Sequence, residues 1–310
     1  MELSPPRSSW KRRLGKFALG LGLMLIPALY CGISLYSAHE LTRAHNRPIH
    51  WTPEQISVHA LPWTTRTEDG LTLRGWYCPT PERHHLLVMV HGLWGNRDEM
   101  AGQARDLHKL GYDVVLFDLR GHGLSDPSRV TMGRRERSDL RAVLAWAKLE
   151  GFAPDQIGWL GNSMGASTLL MEAARNPSIT AAVIDSPYGS LPELLNAQLS
   201  EHSGLPKIFN PGILLAARHV FGVRTDDLIP INAATSWGDR PLLLIHGEAD
   251  SIVPVRQARR IATAAGKNWR AVTLPGVEHV AAYRAYPANY VAAVDRFFLT
   301  NLRHYSGDLP

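Results

Sequence analysis

Residues 157–165 read Ile-Gly-Trp-Leu-Gly-Asn-Ser-Met-Gly, and this stretch decides the reading of the whole chain. Ile157–Leu160 is a short apolar run of the kind that a sheet buries on both faces. A helix-like segment from Ser163 to Arg175 follows it at once. Between them Gly161-Asn162-Ser163-Met164-Gly165 fits G-x-S-x-G. A strand that turns so sharply into a helix forces its serine into a strained conformation, which only small neighbours such as Gly161 and Gly165 allow. The Ser163 hydroxyl then stands at a helix N-terminus, where backbone amides stabilise developing negative charge. The five-residue pattern alone is common by chance. The strand before it and the helix after it make Ser163 a candidate nucleophile rather than a plain turn residue.

The flanking sequence repeats the alternation. On the N-terminal side Leu71–Tyr77 alternates like an edge strand, and Leu86–Val90 and Val114–Phe117 are continuous apolar runs. Helical stretches from Arg97 to Leu110 and from Arg134 to Leu149 are stopped by Gly111 and Gly151. On the C-terminal side Ala181–Ile184, Leu242–Ile245 and Ala271–Leu274 read as strands, and Val255–Ala265 and Ala285–Leu302 as helices. Strands separated by helices of this length predict an α/β domain with a parallel, doubly wound sheet. Residues 186–236 break the rhythm, with helix-like pieces (LPELLNAQLS, NPGILLAARHVFG) and no buried strand. They are expected to form a small helical cap inserted between two strands.

Three further loops carry chemistry. His91-Gly92-Leu93-Trp94-Gly95 follows the strand Leu86–Val90, where the Leu93 N–H can pair with the Met164 N–H as an oxyanion hole; His91 reads as structural. His246-Gly247-Glu248-Ala249-Asp250 ends the strand Leu242–Ile245 and presents a carboxylate able to orient a histidine. Gly276-Val277-Glu278-His279 follows the last strand. Any one of fourteen histidines is weak alone. His279 gains weight from position, since Ser163, Asp250, His279 is a chain order that a strand-turn-helix nucleophile uses. Asp185, ending the strand Ala181–Ile184, is the rival acid.

Charge and composition remove other classes. The formal net charge is +5 over 310 residues, but residues 1–47 hold seven Lys/Arg against Glu2 and Glu40. The remaining chain has 26 basic and 26 acidic residues, so no basic stripe calls for nucleic acid. Two cysteines, Cys31 and Cys78, make neither a disulfide framework nor a zinc site. No Walker A sequence, no H-E-x-x-H and no G-x-G-x-x-G after the first strand occur, so neither a metal nor a nucleotide cofactor is expected.

Phe17 to Ala38 is uncharged over its whole length, enough for a helix of roughly 33 Å, the thickness of a bilayer core. Five basic residues precede it, and the positive-inside rule then predicts a cytoplasmic N-terminus with the large domain on the outer side. The alternative is a cleaved signal peptide, but the apolar stretch is long for one and Tyr36 occupies a position that prefers a small residue. The expected organisation is therefore a basic N-terminus (1–16), a transmembrane signal-anchor (17–38), a linker (39–55) and a catalytic domain (56–310) with the cap at 186–236.

HGLWGN, FDLRGHGLSD (117–126), LGNSMG, HGEADSIVP (246–254) and GVEH together resemble the α/β-hydrolase superfamily, in its serine-aminopeptidase-like or lipase-like branch. Five motifs in order, over roughly residues 60–302, carry the resemblance. It implies a mostly parallel eight-stranded sheet flanked by helices. It also implies hydrolysis of an ester, thioester or amide through an acyl-enzyme, without a cofactor. Asn162 departs from the histidine frequent in true lipases, which favours smaller esters. The substrate expected is a small-molecule or lipid ester. The apolar cap residues Leu191, Leu194, Leu195, Leu199, Ile208, Phe209, Ile213, Leu214, Leu215 and Phe221 either bury one another or line an acyl pocket. An acyltransferase using the same acyl-enzyme, and a non-catalytic scaffold on the same fold, are the rival readings.

Overall fold

The computed structural model describes residues 9–81, 85–266 and 269–303. Arg7 of the basic N-terminus lies outside them. The chain divides into two compact units, one of Met1–Leu41 with Leu199–Gly222, the other of Thr42–Gln198 with Val223–Pro310.

The first unit holds α1 (Ser9–Thr42), a helix of 34 residues that contains Pro27. From residue 13 to 29 nearly every side chain is exposed, although most are apolar. By length and composition this helix can cross a membrane. It extends beyond the uncharged run at both ends. The same unit contains the last turn of α5 (Leu191–Ser203), a 3₁₀ turn at Lys207–Phe209, and α6 (Asn210–His219).

The second unit is built on β1 (Leu61–Arg66), β2 (Thr72–Cys78), β3 (Leu86–Val90), β4 (Asp113–Phe117), β5 (Ile157–Asn162), β6 (Ala181–Asp185), β7 (Leu242–Gly247) and β8 (Trp269–Leu274). They form one eight-stranded sheet in the order β1-β2-β4-β3-β5-β6-β7-β8. The pairs from β4 through β8 are parallel, whereas β1–β2 and β2–β4 are antiparallel. The sheet is thus mixed and mostly parallel, as the resemblance implies, with the antiparallel pairings confined to one edge. The antiparallel corner arises because β1, β2 and β3 follow one another without an intervening helix, and only a crossover element returns the chain for a parallel pairing. Leu71–Tyr77, expected at the edge, is the second strand in, and β1 covers it.

The helices of this unit are α2 (Asp98–His108), α3 (Glu136–Leu149), α4 (Met164–Ala173), α7 (Pro230–Ala234), α8 (Val255–Ala264), α9 (Ala282–Ala285) and α10 (Pro287–Asn301). Leu87, Met89, Leu116, Leu160, Val183 and Ile245 project from one face of the sheet into a core shared with Met100 and Leu107 of α2 and Val294 and Phe298 of α10. The alternate residues Val88, Val115, Trp159, Ile184 and Leu244 are also buried, and strand geometry sends them to the opposite face. There α3, α4, α7 and α8 touch in succession. Two buried faces explain why these strands read as continuous apolar runs.

After α1 the chain is tied to this unit rather than loose. Val130 N–H donates to Thr42 O (2.9 Å) and His45 N–H to Gly121 O (2.8 Å). All the loops that carry the motifs leave the C-terminal ends of β3, β4, β5, β6, β7 and β8, so parallel pairing gathers them on one side.

Candidate active site

Ser163 sits between β5 and α4 with φ 49° and ψ −114°, a conformation L-residues avoid. Crowding explains its glycine neighbours. A Cβ on Gly165 would press into the carbonyl oxygens of Val90 and His91, and one on Gly161 would lie 2.8 Å from the Ala166 backbone nitrogen. Ser163 N–H donates to Asp185 O (2.8 Å), which ties the turn to the end of β6.

Ser163 Oγ and His279 Nε2 are 2.8 Å apart, and His279 Nδ1 and Asp250 Oδ2 are 2.7 Å apart. With the proton on Nδ1, the ring donates to the carboxylate and Nε2 is left to accept from the serine hydroxyl. Asp250 Oδ1 accepts from the amides of Ile252 (3.0 Å) and Val253 (2.7 Å), and Oδ2 lies 3.2 Å from His246 Nε2. Burial works against the charge on Asp250, but hydrogen bonds from His246 and His279 outweigh it and hold its carboxyl at about 2. The carboxylate is fully shielded, while the His279 side chain keeps 15% of its surface open.

Asp185 goes elsewhere. Its Oδ1 accepts from Ser186 Oγ–H (2.9 Å), and Ser186 Oγ accepts from Val280 N–H (3.1 Å). Ser186 (φ 51°) and Val280 (φ 52°) are both left-handed. Asp185 and Ser186 therefore brace the loop that carries His279. Burial pushes the Asp185 carboxyl up to about 6.

Leu93 lies on the loop after β3, next to Gly92, whose added Cβ would meet Ser163 Cβ at 3.3 Å, and Met164 opens α4. Neither backbone N–H has an intrachain partner among the described residues. Their loop is heavily restrained. His91 Nδ1–H donates to Gly92 O (2.7 Å) and Nε2 accepts from Leu119 N–H (3.0 Å). Burial holds His91 down at about 3, so it stays neutral. Trp94 N–H donates to His122 Nε2 (3.2 Å). His91 is structural, as its place in the loop suggested.

Glu99 belongs to none of the sequence motifs. Its carboxylate accepts from Gly92 N–H (3.1 Å) and from Asn162 Nδ2 (3.1 Å), joining the loop after β3 to the residue before Ser163. Surrounding protein raises its carboxyl above the usual carboxylate range. A Cβ on Gly95 would push the Glu99 carboxylate out of this position. No local pattern marks it, since Glu99 stands in the first turn of α2 outside the buried face made by Met100, Ala101, Ala104 and Leu107. The FDLRGHGLSD stretch proves to be scaffolding. Asp118, itself buried, accepts from Arg97 N–H (2.8 Å), pairs with its buried guanidinium (2.6 Å) and accepts from Leu124 N–H (2.8 Å). Arg120 bridges Asp139 and Asp69. Among the described residues no cluster of His, Cys, Asp and Glu suits a metal.

A family model for the alpha/beta hydrolase fold matches residues 85–207. An uncharacterized Mycobacterium tuberculosis protein is 31% identical over 216 residues, 69% of this chain and 70% of that one. A polyketide transferase of a Penicillium species is 28% identical over 192 residues, 61% of this chain and 58% of that protein. Among solved structures, the Pyrococcus furiosus esterase Pf2001 superposes with a TM-score of 0.70 at 25% identity, covering 84% of this chain and 99% of the esterase.

Proposed function

Since the chain belongs to the alpha/beta-hydrolase family and is a hydrolase enzyme, we propose that Ser163, His279 and Asp250 form its catalytic triad and that it cleaves carboxylic esters through an acyl-enzyme. The observation that carries this reading is the unbroken chain of contacts from Ser163 Oγ through His279 to Asp250, at 2.8 and 2.7 Å.

In the reaction, His279 Nε2 takes the Ser163 proton as Oγ attacks the ester carbonyl carbon. The carbonyl oxygen becomes an oxyanion that accepts from the Leu93 and Met164 amides. The imidazolium, stabilised by Asp250, gives its proton to the departing alcohol and leaves the acyl group on Ser163. Water, activated by the same histidine, attacks the acyl-serine and releases the carboxylic acid. Each oxyanion donor is worth about 2.7–4 kcal/mol in such sites. The restraint of the Leu93 loop by His91, His122 and Glu99 serves that preorganisation.

The likeness to a polyketide transferase supports a second reading, in which an alcohol rather than water takes the acyl group. In both readings α1 is the membrane anchor, its N-terminus cytoplasmic because basic residues crowd that end, with the catalytic domain on the outer side.

The test uses the full-length protein and a fluorophosphonate. Wild type should become covalently labelled and Ser163→Ala should not. A folded wild type that stays unlabelled, or a Ser163→Ala chain that keeps ester turnover, would overturn the triad.

A further inference from the structure

Within the first unit, α1 and the segment 207–221 run side by side in the same direction. Tyr30 stacks on Phe209 with ring centroids 5.1 Å apart. Its hydroxyl donates to Ile208 O (2.9 Å) and accepts from Gly212 N–H (3.2 Å). Nine residues further along α1, His39 faces Phe221 at 5.8 Å. Gly212 permits the close approach, since a Cβ there would collide with Ser34 and Tyr30.

This register sets the two charge patterns at matching heights. On α1 no acidic or basic residue other than His39 occurs between Phe17 and Glu40. On its neighbour Ile208 to Ala217 is equally uncharged, and Arg218 and His219 follow. Ile208 is 69% exposed and Leu215 57%, with exposed Pro211 between them; the spacings of three and four place all three on one stripe. Lys207 stands exposed beside Ile208, level with Tyr30, where the bare apolar half of α1 begins.

We infer that the turn around Lys207–Phe209 dips into the same bilayer that α1 crosses. Ile208 enters the boundary between acyl chains and headgroups, and the Lys207 ammonium meets lipid phosphates. The Ile208–Pro211–Leu215 stripe rises from that boundary beside α1, with Arg218 and His219 at its watery end. An apolar side chain beside a base whose stem reaches up to the headgroups is how a segment is held about 5–10 Å into the acyl–headgroup boundary. Tyr30 fits the aromatic belt at that level. The inference rests on the anchor reading of α1, and it makes the cap segment a second, independent lipid contact.

The test keeps the full chain in nanodiscs containing anionic phospholipid. In a Cys31→Ser background, with Cys78 buried, Met24→Cys, Ile208→Cys and Leu149→Cys each carry an environment-sensitive fluorophore. Lipids spin-labelled near the headgroup should quench the probe at 208 several-fold more than the probe at 149. Lipids labelled deep in the chain should quench the probe at 24. If the probe at 24 is quenched while that at 208 behaves like 149, the anchor stands and the dipping turn is wrong. A blue-shifted, unquenched probe at 208 means that protein covers the stripe, which also overturns the inference. If the probe at 24 escapes quenching, the anchor reading fails and takes this one with it.

Discussion

The elbow around Ser163 and the segment 199–222, part of the stretch 186–236 expected to form a cap, are opposite kinds of surface. At the elbow a single added methyl group has no room, since Gly165 is pressed against two carbonyl oxygens. In the cap segment Gly204 and Gly222 have nothing within 4 Å, and Ile208, Leu215 and Val220 stand open. At the elbow the polar side chains are bonded in series, with three left-handed non-glycine residues, Ser163, Ser186 and Val280, locked around His279. The difference teaches where specification lies: the elbow is determined atom by atom, whereas the open stripe of the segment 199–222, away from Gly212 and buried Ile213, tolerates exchange of one apolar residue for another.

The sharpest break is chemical. Asp250→Asn should lower kcat for a chromogenic ester by about 10⁴-fold with little change in KM, because the imidazolium loses its counter-charge. A fall of less than tenfold would return the acid role to Asp185. Gly165→Ala should cost about 1–3 kcal/mol by overpacking, read from the urea midpoint, and should abolish activity through displacement of Ser163.

The two carboxylates should titrate with opposite sign. Asp250 is held at about 2, below its unfolded value near 4, so its contribution is present above about pH 4 and lost as pH falls towards 2. Asp185 is raised to about 6, so its contribution is complete below about pH 4 and lost as pH rises through 6. Compared with wild type, Asp250→Asn should be less stable at pH 6 and converge with it near pH 2. Asp185→Asn should gain on wild type between pH 4 and pH 7. Each swing is about 2–3 kcal/mol. The smallest effect belongs to the cap: Leu215→Ser should leave stability within about 0.5 kcal/mol, and a larger loss of melting temperature would show that the stripe is packed.

Much of this was legible in the residues. Five of the eight strands announced themselves as apolar runs because helices cover both faces of the sheet. β1 escaped because only Trp63 turns fully inward and Pro62 interrupts the pattern. Its absence from the reading is also why Leu71–Tyr77 looked like an edge. The serine, the acid and the histidine stand out because each follows a strand in a fixed order, and the structure brings all three within hydrogen-bond reach. Glu99 and Ser186 did not stand out. Glu99 meets Asn162 across 63 residues of chain, and Ser186 meets Val280 across 94, pairings that no local pattern encodes.

The two rims of the sheet decide how copies of the protein behave when crowded. A bare outer strand is a template on which another chain can add itself, and repeated addition grows into insoluble ribbons. Here one rim is β1, six residues long, interrupted by Pro62 and ended by Arg66. The other is β8, which carries Arg270 near its start and is mostly open to solvent. A missing amide donor on one side and a charge on the other blunt both templates and oppose strand-by-strand addition of one copy to the next.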